Sequence, residues 1–245
     1  QGELEQAATQ YRENMARWPN DEVAASGLAD VYKAQGALEK AAAQYRDNMV
    51  SWPRDRVSRN GLGSVLRLQK RLNEALQLVP EPVGLVLMRS DFYDLHLRAM
   101  ILLDLGRASE AQALLKRGLD QARAPLLRRR FESSLIMVSL RLERAEDARR
   151  LLAANSENVI SLQVYRLHLA AKEKQTPEAH RLFDELSARR DSLDITIKQA
   201  LDRMDRCFCF SRGDDLCEPS EEQLKALYDA ETEMEISAVS QLMVA

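Results

Sequence analysis

The chain has 245 residues, 45% of them apolar and 30% charged, and carries a net charge of −3. Those proportions exclude a disordered or fibrous polymer, and the slight acidic excess argues against nucleic acid as the main ligand, which favours a basic face. Only 9 glycines, 7 prolines and 5% aromatic residues, with abundant Ala, Leu, Arg and Glu, favour long helices over sheet.

No apolar run approaches the roughly 20 residues that a bilayer-spanning helix needs, so membrane insertion is not expected. No basic–apolar–small leader is visible at the start. Three cysteines are too few for a disulfide scaffold and fit a reducing compartment, so a cytoplasmic setting is expected. The chain begins at Gln1, part-way through a repeat, and reads as a fragment or processed product.

The first segments repeat. Gly2, Leu4, Ala7, Tyr11, Met15, Trp18 and Pro19 return as Gly36, Leu38, Ala41, Tyr45, Met49, Trp52 and Pro53, each displaced by 34 positions. A fixed period of that length marks stacked helix pairs, and 245 residues accommodate about six or seven such pairs. Residues 22–55 contain one whole unit. A first helix (helix A) is predicted from Glu22 to Gln35, with Leu28, Ala29 and Tyr32 on one stripe. Gly36 stands where a left-handed cap residue belongs. A second helix (helix B) is predicted from Leu38 to Ser51, with Leu38, Ala41, Ala42, Tyr45 and Met49 on its apolar face. Pro53 stops it and pushes Trp52 out of helical geometry. Ala29 and Ala41 let the pair approach closely, so Ala41→Trp should be severely destabilising.

The pattern Leu28–Ala29–Tyr32–Gly36–Ala41–Tyr45–Pro53 resembles the tetratricopeptide repeat (TPR) family. Asn48, with its counterpart Asn14, departs from it, standing where that family usually has a small residue; it either widens the packing or bonds a turn. The resemblance implies an all-α solenoid of stacked antiparallel helix hairpins, right-handed, with a concave surface lined by helix A.

Later units are more degenerate. Leu62, Gly63, Leu66, Leu72 and Ala75 continue the stripe, with Lys70 in place of the turn glycine, and Pro80 and Pro82 cut the third helix B short. Gly61 and Gly63 lie inside a helix A and read as close helix packing, not phosphate binding. Marker alanines at 111, 148 and 179 extend the pattern. The expected division is residues 1–190 as repeats, the first incomplete, and 191–245 as a helical cap. In that cap a short helix is predicted over about 192–206. A Cys-containing loop follows. The last helix runs from about Glu221 to Leu242, opened by the Ser220/Gln223 capping box.

The sequence offers several candidate chemistries. Cys207, Cys209 and Cys217 offer three thiolates, with His180 or Asp214 as a fourth ligand. Structural zinc prefers paired C-x₂₋₄-C spacing, and one C-x-C is present, so no metal is expected. Phe208 and Phe210 would anchor that loop instead. His96, His168 and His180 are far apart, and no nucleophile elbow, HExxH, Walker or GxGxxG motif is found. Neither an enzyme nor a cofactor site is expected. The runs Arg128–Arg130, Arg149–Arg150 and Arg189–Arg190 read as solvated helix faces with acidic neighbours.

The resemblance instead implies a binding groove. Its ligand-facing positions fall on Ser26, Asp30 and Lys33, then Asn60, Ser64 and Arg67, then Tyr93, His96 and Met100. Weaker units would add Ser133, Met137 and Arg141, then Tyr165, His168 and Lys172. One subgroup of the family clamps a chaperone's C-terminal carboxylate with Lys and Asn in its first repeats; Ser26 and Asp30 occupy those places here and argue against that ligand. The leading expectation is a non-catalytic scaffold for another protein, a peptide, or another domain of its parent chain. Two alternatives stand beside it. One is a regulatory or autoinhibitory arm of a larger bacterial enzyme. The other is self-association, in which an uncovered first helix exposes Leu4, Ala7 and Tyr11 for end-to-end stacking.

Overall fold

The structure is a computed structural model; it describes residues 2–154, 160–173 and 176–189. The described residues form helices α1 (Gly2–Arg17), α2 (Glu22–Ala34), α3 (Leu38–Ser51), α4 (Arg56–Leu68), α5 (Leu72–Leu78) and α6 (Arg89–Asp104). They continue with α7 (Ala108–Gln121), α8 (Pro125–Arg141), α9 (Ala145–Ala154), α10 (Ile160–Lys172) and α11 (Thr176–Ala188). No strand occurs among them. The chain divides into two compact units, residues 1–123 and the chain from Ala124 onward. In each, sequential helices pack as antiparallel neighbours, which is the all-α solenoid architecture the period implies.

Punctuation repeats with the period. Asp21 caps α2 by accepting a hydrogen bond from the Ala24 N–H at 3.0 Å. Asp55, 34 residues on, caps α4 by accepting from the N–H groups of Val57 (2.7 Å) and Ser58 (3.0 Å). The four turns from helix A to helix B between α2 and α9 each pass through one left-handed residue: Gly36 (φ 73°), Lys70 (61°), Gly106 (77°) and Glu143 (58°). The residue after each one donates back to the carbonyl five positions earlier: Ala37 to Tyr32 O, Arg71 to Leu66 O, Arg107 to Leu102 O and Arg144 to Ser139 O, at 2.8–2.9 Å. That closure satisfies carbonyls the helix end would otherwise orphan. Lys70 and Glu143 therefore hold the same turn as the glycines, at the cost of a strained backbone.

The first unit's core gathers Ala29, Ala41, Ala42, Tyr45, Leu62, Val65, Leu66, Ala75, Val79, Leu97 and Ile101. Tyr45 lies flat over Gly61, where an added Cβ would sit 2.3 Å from its ring; Tyr11 lies over Gly27 in the same way, at 2.5 Å. Each pair is 16 residues apart and the two pairs are displaced by 34, so the glycine is what admits the ring between repeats. Gly63 likewise admits Val79. Asn48 is buried and bonds a helix, not a turn. It donates to Ser58 Oγ at 3.1 Å and accepts from Gln44 at 2.9 Å.

Two expectations change. Leu4, Ala7 and Tyr11 are half-buried against Leu28, Val31 and Tyr32, because α2 covers the apolar stripe of α1. The outward face of α1 carries the exposed polar residues Glu5, Gln6, Thr9, Gln10 and Glu13. Of the basic runs, Arg128 pairs with Glu132 at 3.0 Å, and Arg149 pairs with Glu146 and Glu173. Arg130, however, is buried, since helical rotation turns it towards the core beside Phe131. The segments 192–206 and 221–242, with Cys207, Cys209, Cys217 and Asp214, lie outside the described residues.

Candidate partner-binding face

Every expected groove residue of the first unit lies on α2, α4 or α6, the helices A of three successive pairs. On α2, Ser26 is buried and its hydroxyl lies 3.3 Å from that of Ser58 on α4. Asp30 and Lys33 form an ion pair of 2.9 Å, with 30% and 15% of their side chains exposed. Asp30 also accepts the Tyr45 hydroxyl at 2.6 Å. Burial, and then the adjacent carboxylate, push the Tyr45 phenol well above its ordinary pKa, so it stays a proton donor.

On α4, Asn60 donates to Asp94 Oδ1 at 2.7 Å. Ser64 is buried. Arg67 donates through Nε to Asp104 Oδ2 at 2.8 Å, with only 7% and 4% of the two side chains exposed. On α6, Tyr93 is half-buried, whereas His96 and Met100 are buried. The structure thus places Asp30, Lys33, Asn60 and Tyr93 at the surface of the helix A row, and Ser26, Ser64, Arg67, His96 and Met100 beneath it. In the second unit Ser133, Met137 and Tyr165 are buried and Arg141 is half-buried. The side chains of His168 and Lys172 lie outside the described set.

Four further residues complete the row. Arg56 donates to Asp91 Oδ1 at 2.8 Å and also to Asp94. Arg59 reaches both Asp94 oxygens, at 3.0 and 2.9 Å. Asp94 is 1% exposed and is neutralised by these two guanidiniums together with the Asn60 amide, as a buried carboxylate must be. The Arg56 hydrogen bond, aided by the Met88 N–H at 2.9 Å, holds Asp91 below its ordinary pKa. The partners are 34 to 38 residues apart, so the row is a ladder from one repeat to the next. Opposite charges at that spacing are the signal in the sequence that finds Arg56, Arg59, Asp91 and Asp94.

The exposed part of the row is charged with both signs. Among the described residues no group of three or more His, Cys, Asp or Glu is placed to bind a metal, and no helix is long and apolar enough to cross a membrane.

No family model matches the chain, and no curated protein sequence does. Solved structures do. PilF of Pseudomonas aeruginosa superposes with a TM-score of 0.57 at 18% identity, over 76% of this chain and 84% of that one. A tetratricopeptide repeat protein from Parabacteroides merdae superposes with a TM-score of 0.62 at 12% identity, over 94% and 93%. At such identities the likeness is one of fold.

Proposed function

We propose that this chain, whose fold is that of a TPR-like repeat protein, is a non-catalytic scaffold that holds a peptide or a surface of another protein along its helix A row. The fold shared with TPR structures supports the coarse reading, since stacked helix pairs offer an extended face to a partner. The observation that carries the finer one is the pre-formed polar ladder on α2, α4 and α6. Asp30, Lys33, Arg56, Arg59 and Asn60 remain partly exposed while fixed by their neighbours. Side chains already held in place lose little entropy when a ligand docks. A mixed-sign row selects a ligand of mixed polarity, and buried Arg67, Ser26 and Met100 act as supports beneath it.

The test is affinity capture from lysate of the source organism, wild type beside an Asp30→Asn/Lys33→Gln/Arg59→Gln variant. These changes keep shape and leave Asp94 its Arg56 partner, so helicity by circular dichroism should be unchanged. A protein retained by the wild type and lost from the variant is expected. Equal retention by both would overturn the assignment.

A further inference from the structure

Charge is sorted by layer in the second unit. Its helices A, α8 and α10, carry the cations Arg128, Arg129, Arg130, Arg141, Arg166 and Lys172 against one acid, Glu132. Its helices B, α9 and α11, carry five acids against three arginines. The helix A layer is therefore +5 and the helix B layer −2. Local pairs trim the excess without removing it. Arg128 meets Glu132 at 3.0 Å. Glu178, held below its ordinary pKa first by Arg181, also feels the charge of Arg166. With both of these matched, α8 and α10 still hold an excess of four cations.

The first unit is built differently. Its helices A, α2, α4 and α6, carry six cations and five acids. Four of those cations are paired within the layer, as Lys33–Asp30, Arg56–Asp91, Arg59–Asp94 and Arg67–Asp104. Arg141 and Lys172 end α8 and α10 as Lys33 and Arg67 close α2 and α4, yet α8 and α10 contain no Asp. Acid is plentiful elsewhere in the sequence. The second unit runs from Ala124 to Ala245. Residues 214–235, outside the described residues, hold nine acids and one lysine, a net −8.

We propose that the segment 214–235 lies along the helix A layer of its own unit as an internal acidic ligand, which an acidic partner must displace. Opposite sign selects the layer: α8 and α10 attract the segment, and the acidic helix B layer repels it. Ser133, Met137 and Tyr165, expected along this face, are buried, as they are when the chain covers its own face. Exposed ion pairs are individually weak, but a tethered segment acts at an effective concentration that many partners do not reach. The proposal uses α8 and α10 and not the mixed-sign row of α2, α4 and α6, so it stands apart from the scaffold reading.

Fluorescence anisotropy of a labelled deca-glutamate peptide, titrated with the full chain at low salt, tests it. The wild type should bind this probe weakly. A Glu221→Gln/Glu222→Gln/Glu231→Gln/Glu233→Gln variant should bind it about tenfold more tightly, because its segment no longer competes. Adding Arg141→Gln/Lys172→Gln to that variant should remove the gain, whereas adding Lys33→Gln in the first unit should not. Gln is close to Glu, Arg and Lys in helix propensity, so helicity by circular dichroism should be equal throughout. A wild type that binds the probe as tightly as the four-site variant overturns the proposal. So does a gain that survives Arg141→Gln/Lys172→Gln. A wild type that sediments as a dimer while the four-site variant is a monomer overturns it in favour of a segment exchanged between two copies.

Discussion

Gly61→Ala sets two physical effects against each other. Alanine is the better helix former in the middle of α4, by about 1 kcal/mol. On propensity alone the variant gains stability. The structure opposes this. The new methyl would lie 2.3 Å from Cε1 and Cζ of Tyr45 and 2.8 Å from its hydroxyl. The ring must therefore retreat by about an ångström to reach ordinary contact. It has nowhere to go, because Tyr45 is 0% exposed and walled by Ala41, Ala42 and Leu62. Overpacking of this kind costs about 1–3 kcal/mol. Moving the ring also strains the 2.6 Å bond from the Tyr45 hydroxyl to the Asp30 carboxylate, a charged hydrogen bond of the sort that contributes about 1.5–3 kcal/mol. The net expectation is a loss of about 2–4 kcal/mol, steric terms outweighing propensity. Urea unfolding followed by circular dichroism measures it. Gly27→Ala is the internal comparison: its methyl would meet Tyr11 at 2.5 Å, but Tyr11 is half-buried on α1 and has room to swing aside. That variant should stay within about 1 kcal/mol of wild type. A Gly61→Ala protein as stable as wild type, or a Gly27→Ala protein equally damaged, would refute the reasoning.

Arg67→Glu should cost about 3–5 kcal/mol in the same assay, because it leaves the Asp104 carboxylate buried beside a like charge; Arg67→Met/Asp104→Leu should recover most of that loss. Acid should weaken the Arg56–Asp91 link. Asp91 is depressed in the folded state by its hydrogen bond to Arg56, so its contribution is complete above the unfolded value of about 3.9 and is lost as pH falls through the folded one. Melting temperature measured from neutral pH downward should therefore fall below about pH 4, and Arg56→Gln should make that fall shallower.

The sequence by itself determined the repeating unit. A 34-residue displacement of Tyr11, Trp18 and Pro19 onto Tyr45, Trp52 and Pro53 dictates stacked helix pairs, because a helix stripe without a neighbour cannot be buried. Helix ends were legible for the same local reason. Asp21 and Asp55 cap through their own side chains, and the turn after each helix A needs a left-handed residue, which Lys70 supplies as Gly36 does. Local chemistry of this kind needs no knowledge of distant residues. The state of the helix A side chains was not legible. Helical periodicity puts Asn60, Ser64 and Arg67 on one face, yet whether each meets a partner or solvent depends on the offset between repeats. Between the same two helices, α4 and α6, Arg67 finds Asp104 at a separation of 37 while Asn60 finds Asp94 at 34. The exposure of Val57 and Leu85 was hidden for a related reason. Val57 and Leu85 look like core residues in a sequence, and only the direction in which α4 and the 79–88 connection leave the stack turns them outward. Tertiary structure decided those points, because burial belongs to the packed set of neighbours and not to the residue.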